Sequence, residues 1–281
     1  MLKIQPYSYH NHTNFSDGHN TLEEMVAAAK KIGFTEMGVS DHLIVHKNMK
    51  RDISWPMLSG CDAPHVYNDD FKSILDAYKY HCEHIRRVAR KENFKLYVGF
   101  EVDYFPYDGW LEEFKWFVSQ LDYDYLQTGN HFFCEENCTD IINMTFFKKV
   151  CPDTSLYKEY VRRHFDVMRQ AVETGLFKFL AHVDYVRKYG PEVYDIDDFA
   201  PEKDKIIDAL LRTNTALEIS TKGLRKIGDF YPDDKLIAKA ADKGVTFIVS
   251  DDAHQVAELG ADFDKAEAVL AKHHITKILK F

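Results

Sequence analysis

The sequence predicts an α/β fold, a parallel sheet built from serial β–α units. Two observations carry that prediction. Short apolar segments alternate with amphipathic helices seven times along the chain, with no Gly/Ser-rich linker between them. The 281 residues, 45% hydrophobic, suffice for one large core. Seven units fit a barrel better than an open sheet, although spacing alone leaves closure open. We therefore expect a single domain over residues 1–281.

The elements follow in order. Residues 7–12 read as the first strand. Thr21 and Glu24 match a capping box, and Leu22, Met25, Val26, Ala29 and Ile32 repeat at helical spacing until Gly33. Residues 36–42 form strand two. Residues 43–68, with Pro56, Gly60 and Pro64, read as irregular. A long helix at 69–92 buries Phe71, Ile74, Leu75, Tyr78, Ile85 and Val88. Strand three (95–104) leads to helix 111–121, and strand four (123–132) to an insertion at 133–154. Helix 155–174, strand five (177–186), helix 204–213 and strand six (216–221) come next. Helix 233–243, strand seven (246–252), a helix at about 262–273 and the closing segment ITKILKF complete the chain.

Composition excludes several classes. Lys and Arg number 36 against 45 Asp and Glu, a net charge of −9, which argues against nucleic-acid binding driven by bulk charge. No apolar run is long enough for a transmembrane helix, and the N-terminus lacks a signal-peptide pattern, so a cytoplasmic protein is expected. The five cysteines, Cys61, Cys82, Cys134, Cys138 and Cys151, contain no C-x-x-C and read as free thiols. The 14 histidines are in excess, and histidine is the commonest metal ligand.

Their positions are informative. His10 and His12 lie at the end of strand one, spaced to share a face. Asp17 follows in the adjoining loop. His42 ends strand two, Glu101 lies late in strand three, and His131 ends strand four. His182 and Asp184 end strand five, and Asp252 and His254 end strand seven. His46 is a further candidate. His81, His84, His164, His273 and His274 fall on helices and read as surface or packing residues. In a barrel the strand C-termini converge on one rim, where active sites sit. A lone H-x-H or strand-end carboxylate is usually incidental, but six strands delivering such residues at one end is not. Imidazole and carboxylate without thiolate suit Zn, Mn or Fe. Nine candidate ligands suit two or three divalent ions sharing a bridging carboxylate.

The motifs H-N-H (10–12), S-D-G (16–18), S-D-H (40–42), G-F-E (99–101), G-N-H (129–131), A-H-V-D (181–184) and S-D-D-A-H (250–254) resemble those of the PHP superfamily (polymerase and histidinol phosphatase). The stretches 182–190 and 218–226 resemble the stand-alone histidinol-phosphatase branch, which removes phosphate late in histidine biosynthesis. The resemblance implies a distorted (β/α)7 TIM-like barrel with its metal site at the C-terminal rim. It implies that His10, His12 and Asp252 bind a first metal, with Glu101 bridging to a second held by His131 and His182. Asp17, His42 and His254 would hold a third.

Arg187 and Arg225, after strands five and six, suit a phosphate dianion. Lys222 adds a third cation where the resemblance leads one to expect a small residue. The leading expectation is phosphomonoester hydrolysis, L-histidinol phosphate being the substrate and a metal-bridging hydroxide the nucleophile. Asp184 is a candidate proton donor or support for His182. Alternatives are another phosphomonoester or a nucleotide-type phosphodiester, or a non-catalytic metal-binding module. Neither a G-x-S-x-G elbow nor a P-loop is present. No nucleic-acid or membrane partner is expected, and the oligomeric state is left open. Phe132, Phe133 and the tyrosine-rich 185–194 stretch are placed to cover the pocket.

Overall fold

Seven parallel strands close around a common interior in the computed structural model, which describes residues 5–49 and 65–281. They are β1 (Tyr7–Ser8), β2 (Glu36–Val39), β5 (Lys95–Val102), β6 (Tyr125–Thr128), β9 (Phe179–Leu180), β10 (Ala216–Ser220) and β11 (Phe247–Ser250), in that spatial order. Asn11 bridges Ala253 in parallel, and the His12 amide donates to Ala253 O at 2.8 Å, which joins the last strand to the first. The expectation of a distorted (β/α)7 TIM-like barrel is met.

The helices form where periodicity and capping place them. α1 (Leu22–Lys31) begins with the capping box: Glu24 N donates to Thr21 Oγ1 at 3.2 Å, and Thr21 N to Glu24 Oε2 at 2.9 Å. α2 (Phe71–Glu92) is capped by Asp70 and buries Phe71, Ile74, Tyr78, Ile85 and Val88. α3 (Trp110–Val118), the short α4 (Phe147–Val150) and α5 (Tyr157–Glu173) follow. α6 (Ala200–Thr213) starts earlier than expected because Pro201 is tolerated in a first turn. A further helix, α7 (Lys222–Ile227), has too few residues for its period to be read from sequence. α8 (Asp234–Asp242) and α9 (Phe263–Lys272) complete the outer layer.

Four departures matter for the site. First, residues 43–68 are not wholly irregular: β3 (His42–Val45) continues along β5 after a break at Ser40–Asp41, and it also pairs with β4 (Tyr67–Asn68). His42 therefore stands opposite Glu101 in register. Pro56, Gly60, Cys61 and Pro64 lie outside the described residues. Second, the insertion contains an antiparallel hairpin, β7 (Phe132–Cys134) with β8 (Ile141–Asn143). It brings the Cys134 and Cys138 Cα atoms to 4.7 Å, and the two are joined by a disulfide, which corrects the expectation of free thiols. Cys82 and Cys151 are free and buried. Third, strand five ends at Leu180, so His182 and Asp184 lie in the turn beyond it rather than side by side on a strand face. Fourth, His46 joins no ligand group: its Nε2 lies 3.0 Å from Cys138 O and its Nδ1 accepts from Asn48 N at 3.1 Å. Phe132 and Phe133 are core residues rather than a cover. No helix among the described residues is long and apolar enough to cross a membrane.

Candidate metal centre at the barrel rim

Glu101 is the centre of the site. On β5, Tyr97, Gly99 and Glu101 occupy alternate positions and so face the interior together. Glu101 is 1% exposed. Its Oε2 lies 3.2 Å from His10 Nε2, 3.3 Å from His12 Nε2 and 3.2 Å from His42 Nδ1. Its Oε1 lies 2.7 Å from His182 Nε2 and 3.9 Å from His131 Nε2. Gly129 makes this approach possible, since a Cβ there would lie 2.5 Å from Glu101 Oε1.

The other carboxylates continue the cluster. Asp252 Oδ1 lies 3.4 Å from His12 Nε2 and 3.5 Å from His10 Nε2. Asp17 Oδ1 lies 3.5 Å from His42 Nε2, and Asp17 Oδ2 3.1 Å from His254 Nε2. All nine residues named as ligands from sequence thus converge. They fall into overlapping groups: His10, His12 and Glu101; His42, Glu101 and His131; His10, His182 and Asp252; and His12, Asp17, His42 and His254. His182 and Asp252 reach the centre with backbone φ of 24° and 46°, left-handed conformations that non-glycine residues seldom adopt.

The donor set fits cations. His10 Nε2, His12 Nε2, His42 Nδ1 and Glu101 Oε2 are buried and make no hydrogen bond, although they crowd one another. Such orphans are costly in a protein interior. Burial alone would raise the Glu101 pKa, but His10, His131, His182 and His42 hold it well below the usual carboxylate range. Lys222, His10 and His12 do the same for the equally buried Asp252. Burial disfavours a charged His12, yet the neighbouring Asp252, Glu101 and Asp17 carboxylates raise its pKa to about 9. The cluster therefore demands positive charge that protons alone would have to supply. Oxygen and imidazole donors with no thiolate suit Zn, Mn or Fe.

Sequence reasoning missed the carboxylates that orient these rings. Glu218, fully buried on β10, places Oε1 2.6 Å from His10 Nδ1, while its Oε2 accepts from the His182 amide at 2.8 Å and its Oε1 from Ser250 Oγ at 2.5 Å. Asp103 holds His131 through Nδ1 at 2.9 Å and through its amide at 2.6 Å. Asp41 accepts from Thr13 N and Thr13 Oγ1, each at 2.8 Å, and lies 2.9 Å from His81 Nε2. Glu218 and Asp103, which touch the His10 and His131 rings, are the partners that fix a ligand's tautomer and orientation. Glu218 and Asp103 are carboxylates within largely apolar, buried segments of the chain, a signal too common to stand out.

The centre opens into a cavity of about 340 Å³, lined also by Tyr185, Lys222, Lys226 and Glu258. A second cavity, about 290 Å³, lies outside α5 and α6, where Arg162 and Arg163 pair with Glu159. Among the cations named from sequence, Lys222 faces the centre, its Nζ 3.0 Å from Asp252 Oδ1. The two arginines lie off the cavity lining. Arg187 donates to Phe230 O at 2.7 Å and to Asp229 Oδ2 at 2.5 Å. Arg225 donates to Asp251 O at 2.6 Å, and its buried Nε makes no hydrogen bond but lies 3.9 Å from Glu258 Oε1. Asp184 points away from the centre: its Oδ2 accepts from Asp233 N at 2.8 Å and from Arg187 Nη1 at 3.3 Å. Burial pushes its pKa up to about 7, against the pull of Arg187.

The chain is similar in sequence and in fold to known proteins. A probable histidinol-phosphatase of Deinococcus radiodurans is 25% identical over 264 residues, covering 92% of this chain and 89% of its own. A protein of Listeria monocytogenes assigned as a histidinol phosphatase superposes with a TM-score of 0.74 at 19% identity, over 92% of this chain and 99% of that one. Histidinol phosphate phosphatase of Lactococcus lactis, in complex with Zn, L-histidinol and phosphate, superposes with a TM-score of 0.69 at 18% identity, over 99% and 97%. The PHP domain family matches residues 8–222, a span that takes in the barrel from β1 to the start of α7 and seven of the nine converging ligands, and the chain belongs to that family.

Proposed function

We propose that this protein is a metal-dependent phosphomonoesterase and that its substrate is L-histidinol phosphate. The observation that carries the reading is the set of buried, unpartnered donors around Glu101 at the floor of an open cavity. The Lactococcus lactis complex, with zinc, L-histidinol and phosphate together, supports the choice of substrate. His10, His12 and Asp252 would hold one ion, and His131 and His182 another, with Glu101 shared. Ions there would polarise the phosphoryl oxygens and lower the pKa of water to supply a nucleophile at neutral pH.

The chain's own groups do the rest. Glu218 and Asp103 keep the His10 and His131 rings oriented. Lys222, which lines the cavity, would bind a phosphate oxygen, and Arg187 and Arg225 would join it by exchanging their contacts to Asp229 and to Asp251 O and Glu258. Asp184, turned away from the cavity, would hold Arg187 and the Asp233 amide in place. A cytoplasmic location goes with this biosynthetic reading. The test is phosphate release from histidinol phosphate, other phosphomonoesters and a phosphodiester by the metal-loaded protein. We expect the highest kcat/KM for histidinol phosphate. Equal values across monoesters would remove the specific substrate, and no release from any ester would remove the enzymatic reading.

A further inference from the structure

Lys222 stands where a lysine is hard to reconcile with a full complement of ions. It opens α7, and its side chain is 13% exposed. Its Nζ lies 3.0 Å from Asp252 Oδ1 and 3.2 and 3.4 Å from the two ring nitrogens of His254. Asp252 and His254 are both candidate ligands, and His254 belongs to the group with His12, Asp17 and His42. An ion held by His254 would sit about 2.0–2.1 Å from a ring nitrogen. It would then share a small, poorly solvated space with a fixed ammonium of the same sign.

We infer that the Lys222 ammonium takes the place of the third ion, so that the centre holds two ions and one tethered cation. The position of the ammonium supports this. It stands between Asp252 Oδ1 at 3.0 Å and the His254 ring nitrogens at 3.2 and 3.4 Å, and His254 Nε2 lies 3.1 Å from Asp17 Oδ2, so the ammonium occupies the side of the centre where the third group of donors gathers. Lysine differs from an ion in two ways that bear on the reaction. It is a donor that can bind a phosphate oxygen, and it cannot be lost to a chelator.

The inference rests on the metal-centre reading above, and one experiment separates the two. Wild type, Lys222→Met and Lys222→Arg are saturated with zinc, freed of excess by gel filtration, and their ions per folded chain counted by mass spectrometry. We expect two in wild type, two in Lys222→Arg, which keeps the charge, and three in Lys222→Met. The same non-zero count in wild type and Lys222→Met overturns the role of Lys222 while leaving the centre intact. Zero in every protein overturns the metal centre itself. If Lys222→Met does not fold, Lys222→Gln replaces it, with the same expected gain of one ion.

Discussion

At the lower end of the barrel interior, Tyr9, Tyr125, Phe179 and Ile248 pack with Phe281 of the C-terminal segment. The Tyr125 ring stacks on Phe281 with centroids 4.7 Å apart and on Phe179 at 6.0 Å. Its hydroxyl donates to Tyr9 O, and the Tyr9 hydroxyl to Glu36. At the upper end the same strands present His10, Glu101, His182 and Asp252, whose inward atoms are buried and in part unpartnered. One end is satisfied by its own chain and the other is completed by something outside it. That difference separates what holds the barrel from what the barrel is for.

The comparison is broken most severely at Glu101. Glu101→Gln keeps the shape and removes the charge shared by five imidazoles. We expect loss of bound zinc and a fall in kcat/KM of about 10³-fold, the several kcal/mol that a metal centre contributes. The far-ultraviolet circular dichroism spectrum should be unchanged. Retained zinc with wild-type kcat/KM would show that Glu101 is not the shared ligand.

Tyr125→Ala tests the opposite end. Gly99 has no side chain where the Tyr125 ring lies, so the strand is built around that ring. Removing it should cost about 3–5 kcal/mol of stability, the usual range for a large core aromatic, measured by denaturant unfolding. The zinc count per folded chain should stay at the wild-type value. Loss of zinc from well-folded Tyr125→Ala would mean that the two ends are not separable.

The upper end was the more legible in sequence, for a physical reason. Metal chemistry restricts residue type, so His10, His12, Asp17, His42, Glu101, His131, His182, Asp252 and His254 could be named before their geometry was known, and all nine converge. Seven strands could likewise be counted from alternation. The Tyr125 plug could not, because an aromatic ring on a strand says nothing about which end of the interior it fills. Glu218 and Asp103 were hidden because a carboxylate that orients a histidine has no spacing rule relative to it: Glu218 is 208 residues from His10. The turn carrying His182 and Asp184 was read as strand because the apolar run gives no sign of the left-handed residue that ends it. The Cys134–Cys138 disulfide depends on a hairpin that sequence left as an insertion.

Glu218 sharpens the comparison at the boundary between the ends. Its oxygens meet His10 Nδ1, Ser250 Oγ and the His182 amide. Glu218→Gln keeps the volume but offers an amide where two donors converge. We expect zinc affinity about 10–100-fold weaker, the effect typical of removing such a support, read by competition with a chromophoric chelator. An unchanged zinc Kd would assign Glu218 to folding alone.

His164 provides the smallest effect and a control outside both ends. It lies on α5, 1% exposed, with Nε2 3.2 Å from Val183 O and Nδ1 without a partner. Burial pushes its pKa down to about 3. The folded protein therefore keeps His164 neutral over a range in which the unfolded chain, with a histidine pKa near 6.5, takes up a proton. By linkage, its neutral form contributes nothing to pH dependence above about pH 6.5, and stability is lost as pH falls from there toward 3. At pH 5 the loss is about 1–2 kcal/mol relative to pH 8. His164→Phe should flatten the difference between unfolding free energies at pH 8 and pH 5 by that amount, even if its stability at pH 8 is lower. Protonation of the metal ligands contributes to both proteins and cancels in the comparison. A pH slope identical to wild type would mean that His164 is already protonated in the fold, with a water or carbonyl serving its Nδ1.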